Sequence, residues 1–493
     1  MKVLLAALAA VVAVVAGGIV VAVPLVEQHA ARQIKEEIER DGIATVESVS
    51  VGLLDRRIAL VDIRNRRVEG FSAASWTVTG LSWPLTEIVR GRLPLGGLKL
   101  GDPIRAERIE VRDFALSDGS GSGWKFGHLL IEGVDLQRYD PEVGSSLYGA
   151  TILGARVLSA LSVRKLEERD VSFTQAASGD GFTIASLRLD NVDRGRVGTL
   201  TMGDFRARDP RSQAAAFSVA DLKIKGFDAG RVLATMSQES WMAGMPIGRL
   251  GLETASATGF GGELLTRFGL SLESVSAEFG AGADKMLRGR ARVNGLVLAP
   301  PLRNLETLQI RLAMTAMGLR EARLDFDCSG VEDRAKGELT VDRCAVTARD
   351  LAEIDFTMKV IDADEMFWRV LDDGDLFNIY SSRAAIGSAR LVVSDRSLIE
   401  RAFRALATTT GQPIGDLRRQ FAQEVRRYQP AGVLITEDLT KMLDIVGRFV
   451  EQGGTLTFEA KPDPPFALER IGYLLTPGPD LVTMLGITAR LSR

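Results

Sequence analysis

The side chains able to do chemistry are few and scattered along the chain. His29, His128, Cys328 and Cys344 are the only histidines and cysteines in 493 residues. A zinc site of the His/Cys type draws three or four such ligands together, so no metal and no other cofactor is expected. Ser162 and Lys165 in "SVRK" have the Ser-x-x-Lys spacing of acylating enzymes, in which a lysine helps to activate the serine. The motif stands alone, and its surroundings alternate like a strand. No Gly-rich phosphate loop, His-Glu-x-x-His, Cys-x-x-Cys or Gly-x-Ser-x-Gly elbow occurs. Acidic groups such as "RLDFD" and "VLDDGD" recur too often to mark a site and read as solvated faces and turns. No catalytic residue is assigned, and the expectation is a protein that is not an enzyme.

The elements that could position a binding site are easier to read. With 61 basic and 64 acidic residues the chain has no electrostatic footprint for a phosphate backbone, which excludes nucleic acid as the expected partner. Apolar residues make up 46%, enough for a large core. Glycine is abundant, at 50 residues against 16 prolines, and fits the bends of a strand-rich fold.

From Val3 to Val26, "VLLAALAAVVAVVAGGIVVAVPLV" runs 24 residues without a charge. About 20 residues at 1.5 Å rise cross the hydrocarbon core, so residues 1–26 are expected to be an uncleaved transmembrane anchor. The rival is a signal peptide, whose apolar region is about 7 to 15 residues and which ends at a small-x-small site absent here. "VEQHAARQIKEEIERDG" has helical composition and closes at Gly42, which predicts a helical stalk over 27–42.

Short alternating runs then dominate, with brief helical passages at 84–93 and 229–237. One form recurs: apolar, any, apolar, any, Asp/Asn/Gly, apolar. It occurs as "IALVDI" from Ile58, "IEVRDF" from Ile109, "LLIEGV" from Leu129, "LRLDNV" from Leu187, "LTMGDF" from Leu200 and "LKIKGF" from Leu222. The spacing between copies runs from 13 to 58 residues, so this is not a solenoid period. Asp, Asn and Gly tolerate left-handed or turn-like backbone, so the fifth position can host the first residue of a turn or a β-bulge, and a bulge would return the sixth side chain to the buried face. Ile58, Leu60 and Ile63 should then share one face, as should Ile109, Val111 and Phe114, and Leu222, Ile224 and Phe227. These nine are the candidate lipid-facing residues. Ordinary strand ends at Asp, Asn or Gly are the plainer account of the same pattern. Arginines 56, 57, 64, 66 and 67 read either as contacts to anionic head groups or as charge protecting a sheet edge.

The apolar anchor, the stalk and "IATVESVSVGLLDRRIALVDIRNRRVEGFSAASWTVTGL" together resemble the opening of AsmA-like envelope proteins. The resemblance covers roughly residues 1–135 and rests on residue types rather than invariant positions. It implies a sheet curled into an apolar groove, in a single-pass inner-membrane protein with its soluble part in the periplasm, concerned with phospholipid movement or outer-membrane homeostasis. The chain departs from that family in being short and in ending with helices, which argues against a full bridge between two membranes.

From Ala363 the period changes to helical. "ADEMFWRVLDD" and "SLIERAFRALATTT" (397–410, capped by Ser397) are expected helices. Leu417, Phe421, Val425 and Tyr428 share one helical face, and Leu439, Met442, Leu443, Val446, Phe449 and Val450 do so after a cap at Thr436. These faces are read as packing on the sheet, with a membrane-surface role as the alternative. "RLDFDCSG" and "ELTVDRCAVTA" read as a hairpin centred near Lys336, which sets Cys328 opposite Cys344. A disulfide is expected in an oxidising compartment, against free buried thiols.

The chain is therefore expected to be mainly β, with an anchor (1–26), a stalk (27–42), a long curved antiparallel-rich sheet with an apolar concave face (43–362) and an α+β end (363–493). Its expected function is lipid binding or transfer in envelope homeostasis, with phospholipid, the inner membrane and other envelope proteins as partners. A non-enzymatic periplasmic scaffold with a filled β core is the alternative.

Overall fold

The computed structural model describes residues 23–40, 44–65, 71–82, 84–90, 101–117, 121–142, 149–208, 215–230, 251–282, 284–373, 376–429, 434–470 and 480–492. The chain is mainly β and divides into two compact units, residues 1–215 with 225–239, and residues 216–224 with 240–493.

The first unit is an antiparallel meander of eight strands: β1 (Ala44–Gly52), β2 (Arg57–Asn65), β3 (Ser72–Thr79), β4 (Ile104–Ser117), β5 (Gly123–Leu136), β6 (Leu161–Thr174), β7 (Gly181–Asp193) and β8 (Arg196–Arg208). Each strand pairs with the next in sequence. Local chemistry supports the turns. Arg194 and Gly195 both have positive φ, 48° and 88°, and form a two-residue loop that lets Asp193 pair with Arg196. A ninth strand, β9 (Ala215–Asp228), contributes residues to both units.

Residues 23–40 are helical and do not project as a free stalk. Ala30 and Ile34 are fully buried in one cluster with Val51, Ile58, Leu81, Ile88 and Ala106. Lys35 Nζ donates to the Glu47 carbonyl at 2.8 Å, and Glu27 accepts from the Leu53 amide at 2.8 Å. The small Ala30 and the amphipathic spacing of Ala30, Ile34 and Ile38 let the helix lie against the sheet, which buries more apolar area than a stalk in water. Among the described residues no helix is long and apolar enough to cross a membrane. The expected anchor lies outside the described residues except for 23–26, which begin this helix.

The second unit contains β10 (Thr254–Gly261), β11 (Leu270–Ser271), β12 (Ser274–Ala281), β13 (Leu287–Leu298), β14 (Ala322–Asp333), β15 (Glu338–Ala348), β16 (Ala352–Ile361), β17 (Ala385–Asp395), β18 (Gly454–Ala460), β19 (Phe466–Ala467) and β20 (Ile487–Ser492). β12 to β18 pair in sequence, β10 pairs with β12, β11 with β13, β19 with β17, and β20 with β18. A boundary at 362 does not separate two bodies, because β16 and β17 on either side of it pair from Ala352↔Asp395 to Ile361↔Ala385.

The C-terminal helices follow the expected faces with local differences. The helix Leu398–Thr410 begins after Ser397, yet Ser397 Oγ donates to the Asp350 carbonyl, and Asp395 accepts from the Ile399 amide instead. Thr436 does cap the helix Glu437–Gln452, accepting from the Leu439 amide at 3.3 Å. In the helix Ile414–Arg426 Leu417 is buried, while Phe421 is 41% exposed and meets Phe403 edge-on at 5.5 Å. Tyr428 lies beyond that helix and is exposed. The helix Glu437–Gln452 packs against β18 and β20.

Candidate functional site

All six copies of the recurrent form place the fifth residue in left-handed backbone. Asp62, Asp113, Gly133, Asn191, Asp204 and Gly226 have φ of 50°, 49°, 66°, 55°, 52° and 69°. Asp, Asn and Gly are the residues that accept this conformation at least cost, which is why the sequence carries them there. The same geometry recurs at Asp170, φ 55°, in "LEERDV".

These residues are not bulges in the first unit. Val61 pairs with Ser75 and Ile63 with Ala73, so no extra residue enters at Asp62, and the registers across Asp113, Asp170, Asn191 and Asp204 are equally continuous. The expectation of two residues opposing one is therefore corrected. A single left-handed residue reverses the pleat, and its cross-strand neighbour reverses with it. Val111 and Phe114 on β4 are three apart and share a cluster with Leu129 and Phe126, also three apart, on β5. One-residue register shifts do occur in the second unit, between Val293 and Leu296, Val341 and Cys344, and Lys359 and Val360.

The register lines the kinks up. Asp62, Ala74, Asp113, Gly127, Asp170, Ala185 and Asp204 fall at matching positions of β2 to β8. Left-handed aspartates on even strands thus alternate with small residues on odd ones. A second row takes Gly80, Glu107, Gly133, Arg164, Asn191 and Gly198, with its left-handed members Gly80, Gly133 and Asn191 on the odd strands or at their ends. Between the rows each strand turns a pair of side chains to one face, then slips and does so again. β4 shows it as Ile104 and Ala106, Ile109 and Val111, then Phe114 and Leu116. The result is an apolar face spanning β1 to β8, with neighbouring strands about 4.8 Å apart and the whole about 34 Å across.

The predicted site residues divide between covered and half-open positions. Ile58, Leu60 and Ile63 do share this face, as do Ile109, Val111 and Phe114. Ile58 is enclosed with Ala30, Ile34 and Ile88, so it is core beneath the helix rather than an open position. Ile63 and Val111 are buried too, whereas Leu60, Ile109 and Phe114 are half-buried. On β9, Leu222 and Ile224 are half-buried and belong with the second unit, while Phe227 packs against Val163, Val192 and Val197 of the first.

Toward one end of the strands the face is aromatic. Trp124 lies 4.8 Å from Phe173, Phe173 lies 5.8 Å from Phe182, and Phe182 stacks on Phe205 at 6.0 Å. Trp124 remains 46% exposed and its cross-strand partner Leu116 39%. A cavity of about 580 Å³ opens at the same strand ends, lined by Phe173, Phe182 and Ala207 of this face together with Ser172, Thr183 and Arg206 of the opposite one. Sequence reasoning missed Trp124, Phe173 and Phe182, although each stands near a strand end in the same alternating pattern, while Phe205 entered only as the sixth residue of "LTMGDF".

The opposite face is charged. Glu110 is held at about 2, chiefly by its hydrogen bond to Arg112, with Arg108 and His128 adding to it. Glu167 is held at about 2 by Lys165 first and Arg169 second. Ser162 and Lys165 form no catalytic pair: Ser162 Oγ donates to Asp193 at 2.7 Å, and Lys165 Nζ is 2.7 Å from Glu167. Among the described residues no group of three His, Cys, Asp or Glu could hold a metal ion. Arg64 pairs with Asp62 at 3.0 Å, and residues 66 and 67 lie outside the described residues.

In the second unit Cys328 sits directly opposite Cys344 in the β14–β15 register, with Cα atoms 3.9 Å apart, and the two form a disulfide. The pairing there is symmetric about Lys336, and a one-residue shift enters only between Ser329 and Gly330, on the turn side of the cysteines.

A family model described only as an uncharacterized protein matches residues 345–491, which takes in part of β15, β16 to β20 and the C-terminal helices. No curated protein matches the chain.

Proposed function

We propose that the apolar face of the first unit is a concave, lipid-binding surface, and that the protein binds or transfers lipid from an inner-membrane anchor while its soluble part stands in the periplasm. The observation that carries this reading is the alignment of pleat reversals. Each left-handed residue keeps successive pairs of apolar side chains on one side of the sheet, and the aromatic end of that side stays half exposed. An acyl chain laid on it would remove apolar surface on both partners from water, about 0.8 kcal/mol per methylene. A contiguous apolar patch left bare would instead favour aggregation. The cross-strand cysteine pair fits an oxidising compartment.

One observation favours the scaffold reading: the corner around Ile58 is filled by Ala30, Ile34 and Ile88, as a closed core would be. Photo-crosslinking in cells separates the two. A photoreactive residue at Leu187 or Met202, on the apolar face, should capture lipid, while one at Arg188 or Thr201, on the other face, should not. Equal capture at both pairs, or capture at neither, would leave the scaffold reading in its place.

A further inference from the structure

One side chain on this face does not belong there by composition. At the positions of β1 to β8 that turn to the apolar side, Glu168 is the one ionisable residue among those described. It takes the third place in "LEERDV", where the six recognised copies carry Leu, Val, Ile, Leu, Met and Ile. Its cross-strand neighbours are Leu129 on β5 and Leu187 on β7, and its neighbours along β6 on the same side are Leu166 and Val171. Burial raises its pKa, and no charge offsets that. The cations beside it in sequence, Lys165 and Arg169, turn to the opposite face and pair with Glu167 there. Glu168 itself has no hydrogen bond or ion pair among the described residues.

A carboxyl flanked by leucines and given no partner destabilises the fold, and replacing it with Leu would continue the apolar row. An ionised carboxylate in such a setting is satisfied by a cation carrying several donors. We infer that Glu168 sets the specificity of the face for amphiphiles bearing a protonated primary amine, the ammonium meeting the carboxylate while the apolar chain lies over the flanking leucines. This rests on the lipid-binding reading above and names the class of ligand it selects. The ammonium supplies the charge and the three donors that the protein withholds, and the middle of the face is where a chain passing in either direction meets it.

The test uses the full chain in detergent-free exchange with phosphatidylcholine vesicles that contain acyl-labelled phosphatidylethanolamine or, separately, acyl-labelled phosphatidylglycerol. The wild type should take up the amine lipid about tenfold better, the worth of one charge-assisted hydrogen bond. Glu168→Gln and Glu168→Leu should both bring the two lipids to parity, with phosphatidylglycerol uptake kept or raised, and Glu167→Gln should leave the preference intact. Glu168→Gln is nearly isosteric and carries the test should the leucine variant fold poorly. A preference that survives both substitutions, or a wild type that takes up the two lipids equally, overturns the inference and leaves the lipid-binding face standing. Uptake of neither lipid by the wild type overturns both.

Discussion

Gly127 and Asp170 stand opposite each other across β5 and β6, and a Cβ placed on the glycine would lie 3.3 Å from that of the aspartate. Asp170 is left-handed, and its side chain occupies the space that a larger residue at 127 would need. The row of kinks is therefore built in pairs: a residue that tolerates positive φ on one strand and a small residue facing it on the next.

Substitutions in that row should separate backbone strain from side-chain contacts. Asp170→Ala and Asp113→Ala should each destabilise the protein by about 1 kcal/mol, because alanine resists left-handed backbone. Asp113→Gly should be close to neutral. Gly198→Ala should destabilise as well, since a Cβ at 198 lies 3.0 Å from the Asp190 carbonyl oxygen, and Gly127→Val should crowd Asp170, whose Oδ2 lies 3.1 Å from a Cβ at 127. Urea unfolding midpoints measure all five, and an alanine series without effect would remove the strain argument.

The helix over residues 23–40 should be needed for stability of the first unit. Ile34→Ala removes a fully buried side chain and should cost about 3 kcal/mol. Gln33→Ala, one residue earlier and off the buried stripe, should change little. A stalk projecting freely would make both substitutions silent, so thermal unfolding of the pair decides between the two arrangements.

Acid should weaken the charged face in a defined window. Glu110 and Glu167 both titrate at about 2 in the folded protein, against 4.5 when unperturbed. A lowered folded-state value means that their stabilisation is present above about 4.5 and disappears as the pH falls toward 2. The Glu110→Gln, Glu167→Gln double variant should be less stable at neutral pH and should show a shallower loss between pH 4.5 and 2. Parallel acid limbs for variant and wild type would contradict this assignment.

The cross-strand cysteines give a chemical readout. Peptides prepared without reductant should contain Cys328 linked to Cys344. Reduction should lower stability by about 3 kcal/mol, as expected for opening a loop of some 15 residues. Recovery of both residues fully alkylated from unreduced protein would count against the bond and against an oxidising compartment.

Local backbone preference was legible from the residues alone. Asp, Asn and Gly accept positive φ because of their own side chains, so the six fifth positions could be named without knowing what lay beside them. The cysteine register was legible for a similar reason: the hairpin is short, and its symmetry about Lys336 follows from chain length. The seventh kink, at Asp170, escaped notice because Glu168 breaks the apolar form two residues earlier. Tertiary structure decided what depends on register between distant segments. Loops of very different length bring Asp62, Asp113, Asp170 and Asp204 into one row, and nothing local to each strand sets that alignment. The same registers place Glu168 between Leu129 and Leu187. Packing also turned the amphipathic residues 23–40 into a cover for Ile58, because an apolar stripe on a helix specifies that it will be buried and leaves the burying surface to the rest of the fold.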